Sequence, residues 1–210
     1  MNRKLPFRLL LFAGSGLLLA GILLASGTIG IPLDRTLSSL FAAEPLPALT
    51  PAISFLSRLG SPPALLFTFL AIEMPLLYLG RKREPIFLLL SLGGSTILNS
   101  LLKSMIARPR PELRLVEIHS PSFPSWHSTA SAALGLSIWF LFVSPMPRGA
   151  CRRILSLACL GWPLLIGSSR LYLNVHWASD IVAGWGVGIL VTLLAAYIVF
   201  TGKGKRYGAS

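Results

Sequence analysis

Six apolar stretches, each near the length of a membrane-crossing helix, divide this 210-residue chain and fix most of what it can fold into. They run approximately over residues 7–26, 62–80, 85–105, 128–146, 154–172 and 180–201. At a rise of about 1.5 Å per residue, about 20 residues cross the hydrocarbon of a bilayer. A backbone in hydrocarbon must satisfy its own hydrogen bonds, and a helix does so within one segment. The pattern therefore predicts an all-α polytopic membrane protein, a bundle of six transmembrane helices forming a single domain over residues 1–210. Charge content agrees: 12% of the residues are Asp, Glu, Lys or Arg, against roughly 25% in soluble domains.

Between the first two stretches lies a Pro-punctuated segment, 27–61, with apolar residues at Leu33, Leu37, Leu40, Phe41, Leu56 and Leu59. Their spacing predicts short helices resting in the membrane interface. Basic residues set the orientation. Arg3, Lys4 and Arg8 precede the first stretch, and Arg81, Lys82 and Arg83 separate the second from the third. Arg148, Arg152 and Arg153 separate the fourth from the fifth, and Lys203, Lys205 and Arg206 follow the sixth. With six spans these clusters share one face, which the positive-inside rule makes cytoplasmic along with both termini, in the inner (plasma) membrane. The net charge of +12 is thus a topology signal. It lacks the contiguous basic face that nucleic acid requires, so nucleic acid is set aside as a partner. Ala25-Ser26-Gly27 offers small residues for signal cleavage, but the preceding apolar run exceeds a usual signal core and reads as a retained helix. Cys151 lies among arginines and Cys159 in an apolar run, which suits neither a disulfide nor a metal site.

The opposite face keeps Arg35, Arg58, Lys103, Arg108, Arg110, Arg114 and Arg170. Most belong to, or adjoin, three short runs at the edges of apolar stretches. The first is Lys103, six residues, then Arg110-Pro111; the second is Pro124-Ser125-Trp126-His127; the third contains Ser169-Arg170, His176 and Asp180. Charge beside hydrocarbon is costly and marks a functional site. Lys103, Arg110 and Arg170 supply cations and N–H donors, and an arginine fork matches phosphate oxygens. Ser125 adds a hydroxyl, and Ser125, Trp126 and His127 stand at a helix start, where backbone N–H groups favour an anion. His176 and Asp180 are spaced i, i+4, within reach of each other on a helix. A carboxylate on one imidazole nitrogen leaves the other free as a nucleophile. His127, from another helix, is placed to protonate a leaving oxygen. The chemistry expected is in-line displacement through a phosphohistidine followed by hydrolysis, with the basic cluster stabilising the transferring phosphoryl group.

These runs resemble the signatures of the type-2 phosphatidic acid phosphatase family, the lipid phosphatase and vanadium haloperoxidase superfamily. K-x6-R-P is matched at Lys103, Arg110 and Pro111, and S-R-x5-H-x3-D at Ser169, Arg170, His176 and Asp180. P-S-G-H is matched at Pro124, Ser125 and His127, with Trp126 in place of the glycine. The resemblance covers about residues 100–190 directly. It implies His176 as nucleophile, Asp180 as its orienting partner and His127 as general acid. It further implies Lys103, Arg110, Ser125, Arg170 and the backbone at Trp126 as phosphate ligands, with no metal or cofactor. The implied substrate is a lipid phosphate at headgroup depth on the periplasmic or extracellular side. Undecaprenyl diphosphate, phosphatidylglycerophosphate and phosphatidic acid are the candidates for a compact, short-looped chain of bacterial appearance, with a lipid A phosphatase or a phosphotransferase as alternatives. A lipid or anion transporter using the same basic cluster is the non-enzymatic alternative. Oligomeric state is not legible.

Several residues carry plainer readings. Snorkelling would account for one or two of the outer cations, but not for their register with two histidines. His119 reads as a solvated loop residue, and Arg108 as either exposed or an aid in drawing in an anion. Glu73, inside an apolar stretch, reads first as a structural carboxyl held within the bundle. Gly184 and Gly188 form a G-x-x-x-G, the signature of a close helix–helix contact.

Overall fold

The computed structural model describes residues 4–26, 30–43 and 46–201. Arg3, Gly27, Lys203, Lys205 and Arg206, which entered the readings of orientation and cleavage, lie outside the described residues. All regular structure among the described residues is helical: α1 (Lys4–Ser26), α2 (Gly30–Ala43), α3 (Thr50–Leu59), α4 (Pro62–Tyr78), α5 (Arg83–Ile106), α6 (Trp126–Ile138), α7 (Ala150–Tyr172) and α8 (Ala178–Thr201). A π-helical turn, Trp139–Val143, extends α6. Every apolar stretch in the sequence is a helix, with ends displaced by only a few residues.

Four helical segments are long and apolar enough to cross a membrane, Arg83–Ile106, Trp126–Val143, Ala150–Tyr172 and Ala178–Phe200. A fifth arises if α3 and α4 together form one span bent by 45°. The expected second span starts at Pro62 as read but is only 17 residues long, Pro62–Tyr78, so the expected count of six spans is not established. Proline at the first helical positions is preorganised for a start but cannot continue a preceding helix. Of α1, the stretch Leu11–Ala25 is apolar. The chain is an integral membrane protein with multiple apolar helices.

Helix α8 is central, packed against α1, α5 and α6. Its G-x-x-x-G meets α6 backbone to backbone, and a Cβ added at Gly184 would stand 2.7 Å from the Ser125 carbonyl oxygen. That approach has a direct consequence for the site, since the Ser125 N–H donates to the Asp180 carbonyl at 2.9 Å. On α5, Ser91, Ser95 and Asn99 recur every four residues, are fully buried and lead towards Lys103. The Ser91 hydroxyl bonds Thr192 at 2.7 Å and Ser137 at 2.9 Å, and Asn99 Nδ2 donates to Thr129 at 2.9 Å. These bonds tie α5, α6 and α8 in register, because a polar group in hydrocarbon without a partner is costly.

The segment expected at the interface does form two short helices, and each buries selected polar residues. On α2, Asp34 and Ser38 are buried, while Leu33 and Leu40 are exposed together with Arg35, Thr36 and Ser39. On α3, Ser57 is buried, while Phe55 and Leu59 are exposed together with Arg58. The buried polar residues are those that bond other helices, and the outer faces of α2 and α3 are mixed.

Candidate active site

The C-terminal ends of α5 and α7 and the N-terminal ends of α6 and α8 meet at one end of the bundle. Ala107, in the left-handed region at φ 47°, closes α5 by donating its N–H to the Lys103 carbonyl at 3.1 Å. Pro109 and Pro111 then keep the chain out of helix, and the loop to residue 125 folds back across the site. Lys103 Nζ donates to the Pro121 carbonyl at 2.6 Å. Arg110 holds the same loop through Nε to the Ser120 carbonyl at 2.7 Å and Nη2 to the Pro121 carbonyl at 3.1 Å. Its Nη1 donates to the Val175 carbonyl at 2.5 Å and stands 3.2 Å from His176 Nε2. Burial pushes the Arg110 guanidinium down to about 10, Asp180 opposing and Arg114 adding to the effect, so it stays charged at neutral pH. An open cavity of about 330 Å³ on the outer side of this loop is lined by Arg108, Arg110, Arg114 and the exposed His119, among others.

His176 is buried, with Nδ1 3.4 Å from Asp180 Oδ2. The i, i+4 pair exists, but not on one helix face as the spacing suggested. His176 lies in the turn before α8 and only Asp180 lies in its first turn. The turn is closed by the carboxylate itself, since Asp180 Oδ2 also accepts the Trp177 N–H at 3.0 Å. Asn174, left-handed at φ 52°, aims the segment inward; its Nδ2 donates to the Leu113 carbonyl at 2.8 Å and its Oδ1 accepts from Ser38 at 2.7 Å. Burial first, then Arg110, Arg170 and Lys103, hold His176 well below the ordinary imidazole value. That environment disfavours the imidazolium form.

The second run begins α6. Ser125 caps it, its Oγ accepting from the Ser128 N–H at 3.4 Å and the Ser128 hydroxyl at 3.0 Å, which leaves its own proton to donate. The Ser125 N–H is committed to Asp180, so the first-turn N–H groups able to meet an anion are those of Trp126 and His127. Among the described residues the non-glycine positions with positive φ are Ala107 and Asn174. Trp126 is accordingly an ordinary first helical residue, and its backbone does not need glycine's freedom. Its ring packs edge-on to His127, centroids 5.7 Å apart, and against the cluster of Leu65, Ala130 and Leu134 between α4 and α6. On its other flank, His127 Cδ2 would lie 3.5 Å from a Cβ at Gly60. Arg170 is buried, with Nη1 donating to Ser57 at 2.7 Å and Nε unpaired. A buried guanidinium N–H without a partner suits an anion site.

The eight residues singled out from the sequence thus gather at one place: His127 is within electrostatic reach of Arg170, His176, Arg110 and Lys103. Arg108 is part-buried and not exposed, and although it helps line the open cavity its fork is bound to two carboxylates: Nη1 donates to Asp180 Oδ1 at 2.7 Å and Nη2 to Asp34 Oδ2 at 2.8 Å. Asp34 and Ser57 were missed by sequence reasoning. One signal was present for Asp34, since the chain has only two aspartates, Asp34 and Asp180, and both bind this arginine. Glu73 is buried as expected, with Oε2 unpartnered. Among the described residues no three of His, Cys, Asp and Glu group to hold a metal ion.

The family model described as "PAP2 superfamily" matches residues 84–203. Phosphatidylglycerophosphatase B of Bacillus subtilis is 29% identical over 176 residues, 83% of this chain and 86% of its own length. Lipid A 1-phosphatase of Rhizobium johnstonii is 33% identical over 132 residues, 58% of this chain and 50% of its own length. The crystal structure of a transmembrane PAP2 type phosphatidylglycerolphosphate phosphatase from Bacillus subtilis superimposes with a TM-score of 0.80 at 26% identity. That alignment covers 93% of this chain and 100% of the other.

Proposed function

The chain belongs to the PAP2 superfamily, and from that premise we propose that it is a membrane lipid phosphatase working through a phosphohistidine at His176. The observation that carries the reading is the arrangement around His176. Asp180 takes one ring nitrogen and Arg110 faces the other, with Arg170, Arg110 and Lys103 close enough to act on it electrostatically. With Nδ1–H donating to Asp180, Nε2 carries the lone pair that attacks phosphorus. Arg110 gives up its contact with Nε2 for a phosphate oxygen as substrate enters. The N–P bond forms as the P–O bond to the leaving group breaks, and His127 delivers its proton to the departing oxygen. Water then attacks the phosphohistidine, giving its proton to His127 and releasing inorganic phosphate. Lys103, Arg110, Arg170, the Ser125 hydroxyl and the N–H groups of Trp126 and His127 hold the phosphoryl oxygens. No step requires a metal.

The substrate is a lipid whose phosphate sits at headgroup depth. Phosphatidylglycerophosphate is the first candidate, because the relative that shares most of its length with this chain is named for that reaction. Lipid A phosphate follows, on the shorter match, and undecaprenyl diphosphate and phosphatidic acid complete the panel. Six spans, with α1 and the α3–α4 pair each crossing once, leave the clusters at Arg81–Arg83 and Arg148–Arg153 cytoplasmic and the site on the opposite, outer side. The test is phosphate release from this panel in detergent with EDTA, comparing the parent with His176→Ala. Metal-independent release that is lost in His176→Ala is expected. Strict metal dependence, or undiminished activity in His176→Ala, would overturn the reading.

A further inference from the structure

We infer that Asp34, acting through Arg108, is a positioning residue for the His176–Asp180 pair, so that interfacial helix α2 forms part of the catalytic apparatus. The inference rests on the reading of His176 as nucleophile. The geometry is a closed set of hydrogen bonds. Arg108 uses one arm of its fork for Asp180 Oδ1 at 2.7 Å and the other for Asp34 Oδ2 at 2.8 Å. Asp34 in turn accepts from the Ser179 N–H at 3.1 Å through Oδ1 and from the Ser179 hydroxyl at 2.5 Å through Oδ2. Arg108 Nη1 also reaches the Ser179 hydroxyl at 2.7 Å, and its guanidinium lies 5.4 Å from the centre of the Trp177 ring. Side-chain exposures of 12% for Arg108, 3% for Asp34 and 0% for Asp180 leave the set largely out of water.

Two consequences follow. The first is orientation: Arg108 occupies Oδ1 of Asp180, so Oδ2 is the oxygen left for His176 and the Trp177 N–H. The second is charge. Arg108 with Asp180 alone would be a neutral pair, and the imidazolium character that His176 acquires on bonding phosphorus would face no net negative partner. A second buried carboxylate gives the trio a net charge of −1 behind the imidazole. In a buried set this effect is strong, because Coulomb interactions there are weakly screened. Asp34 thus supports the phosphorylated state more than substrate binding, and its removal is expected in kcat and not in KM.

The experiment compares Asp34→Asn, Asp34→Glu, Arg108→Lys and His176→Ala with the parent, as purified full-length protein in detergent. Turnover of phosphatidylglycerophosphate, or of the best panel substrate, is expressed per folded molecule from the monodisperse fraction. Asp34→Asn is expected to lower kcat at least fivefold with KM within twofold, and Asp34→Glu to recover at least half of the loss on a logarithmic scale. Arg108→Lys, which keeps the charge and loses the fork, is expected to lower kcat at least fivefold. It decides the matter if Asp34→Asn does not fold. A fall of less than fivefold in the deciding variant, a change carried by KM, or no recovery in Asp34→Glu would overturn the inference. Activity retained in His176→Ala would instead bring down the functional reading on which it rests.

Discussion

Two regions build the site in different ways. Residues 103–180 hold the candidate catalytic residues on helix ends and in the adjoining loop and turn, at fixed spacings, with His176 and Asp180 four apart and Lys103 and Arg110 seven apart. The α2–α3 segment carries no such pattern, and each contribution comes from a single polar residue in an apolar context. Asp34 binds Ser179 and Arg108, Ser38 binds Asn174, Thr50 meets Tyr172 and Ser57 holds Arg170. The first region supplies the groups proposed to meet phosphate, and the second hydrogen-bonds the segments that carry them. Preorganisation of this kind matters because a misplaced catalytic group loses much of its effect.

The comparison can be broken at its strongest point first. His176→Ala removes the proposed nucleophile and is expected to lower kcat by more than about 10⁴-fold, as removal of a nucleophile does elsewhere. His127→Ala, measured on the same lipid phosphate, should cost about 10²–10⁴-fold, the usual range for a general acid. A substrate with a good leaving group, such as an aryl phosphate, should recover part of that loss. Ser57→Ala tests the supporting segment. A hydrogen bond to a charged group contributes about 1.5–3 kcal/mol, so phosphate release should fall about tenfold or more if Ser57 holds Arg170 for the reaction. A result equal to the parent would make α3 a passive cover.

The two smallest effects sharpen the contrast. Because burial and the nearby cations keep His176 well below its ordinary value, it is already neutral above the usual imidazole pKa of about 6.5 and remains neutral through it. The pH profile of kcat/KM should therefore lack an acid limb near that value due to His176 protonation. Such a limb, persisting in His127→Ala, would contradict the burial of the nucleophile. Ser38→Ala removes one neutral hydrogen bond to Asn174 and should lower stability by about 0.5–1.5 kcal/mol, seen as a lower melting temperature in detergent, with turnover per folded molecule falling less than in Ser57→Ala.

Particular residues show what could be read in advance. The apolar runs located every long helix, because hydrocarbon imposes length and composition on anything that crosses it. Gly184 and Gly188 announced a close helix–helix contact, since only small residues admit that approach; the structure supplies α6 as the partner. Trp126 was the ambiguous position, and the structure resolves its backbone: an N-terminal helical residue needs no positive φ, so the ring is free to pack between His127 and Leu65. Arg108 could not be assigned from its neighbours, because an arginine two residues from Arg110 can point either way along the loop. Its partners lie 72 and 74 positions distant in sequence.

By itself the sequence determined the class of molecule, the position of its helices and the identity of the residues that gather around His176. Hydrophobic length and local spacing are properties of a linear chain and give the first two, while the residues around His176 were picked out by their place at the span edges and by the family signatures they resemble. Tertiary structure alone decided that His176 precedes α8 and that α2 turns Asp34 inward to share Arg108 with Asp180. Those outcomes depend on which polar groups meet once the helices pack. In a buried site, the cost of leaving a charge or a hydrogen-bonding group without a partner selects among arrangements that spacing leaves open.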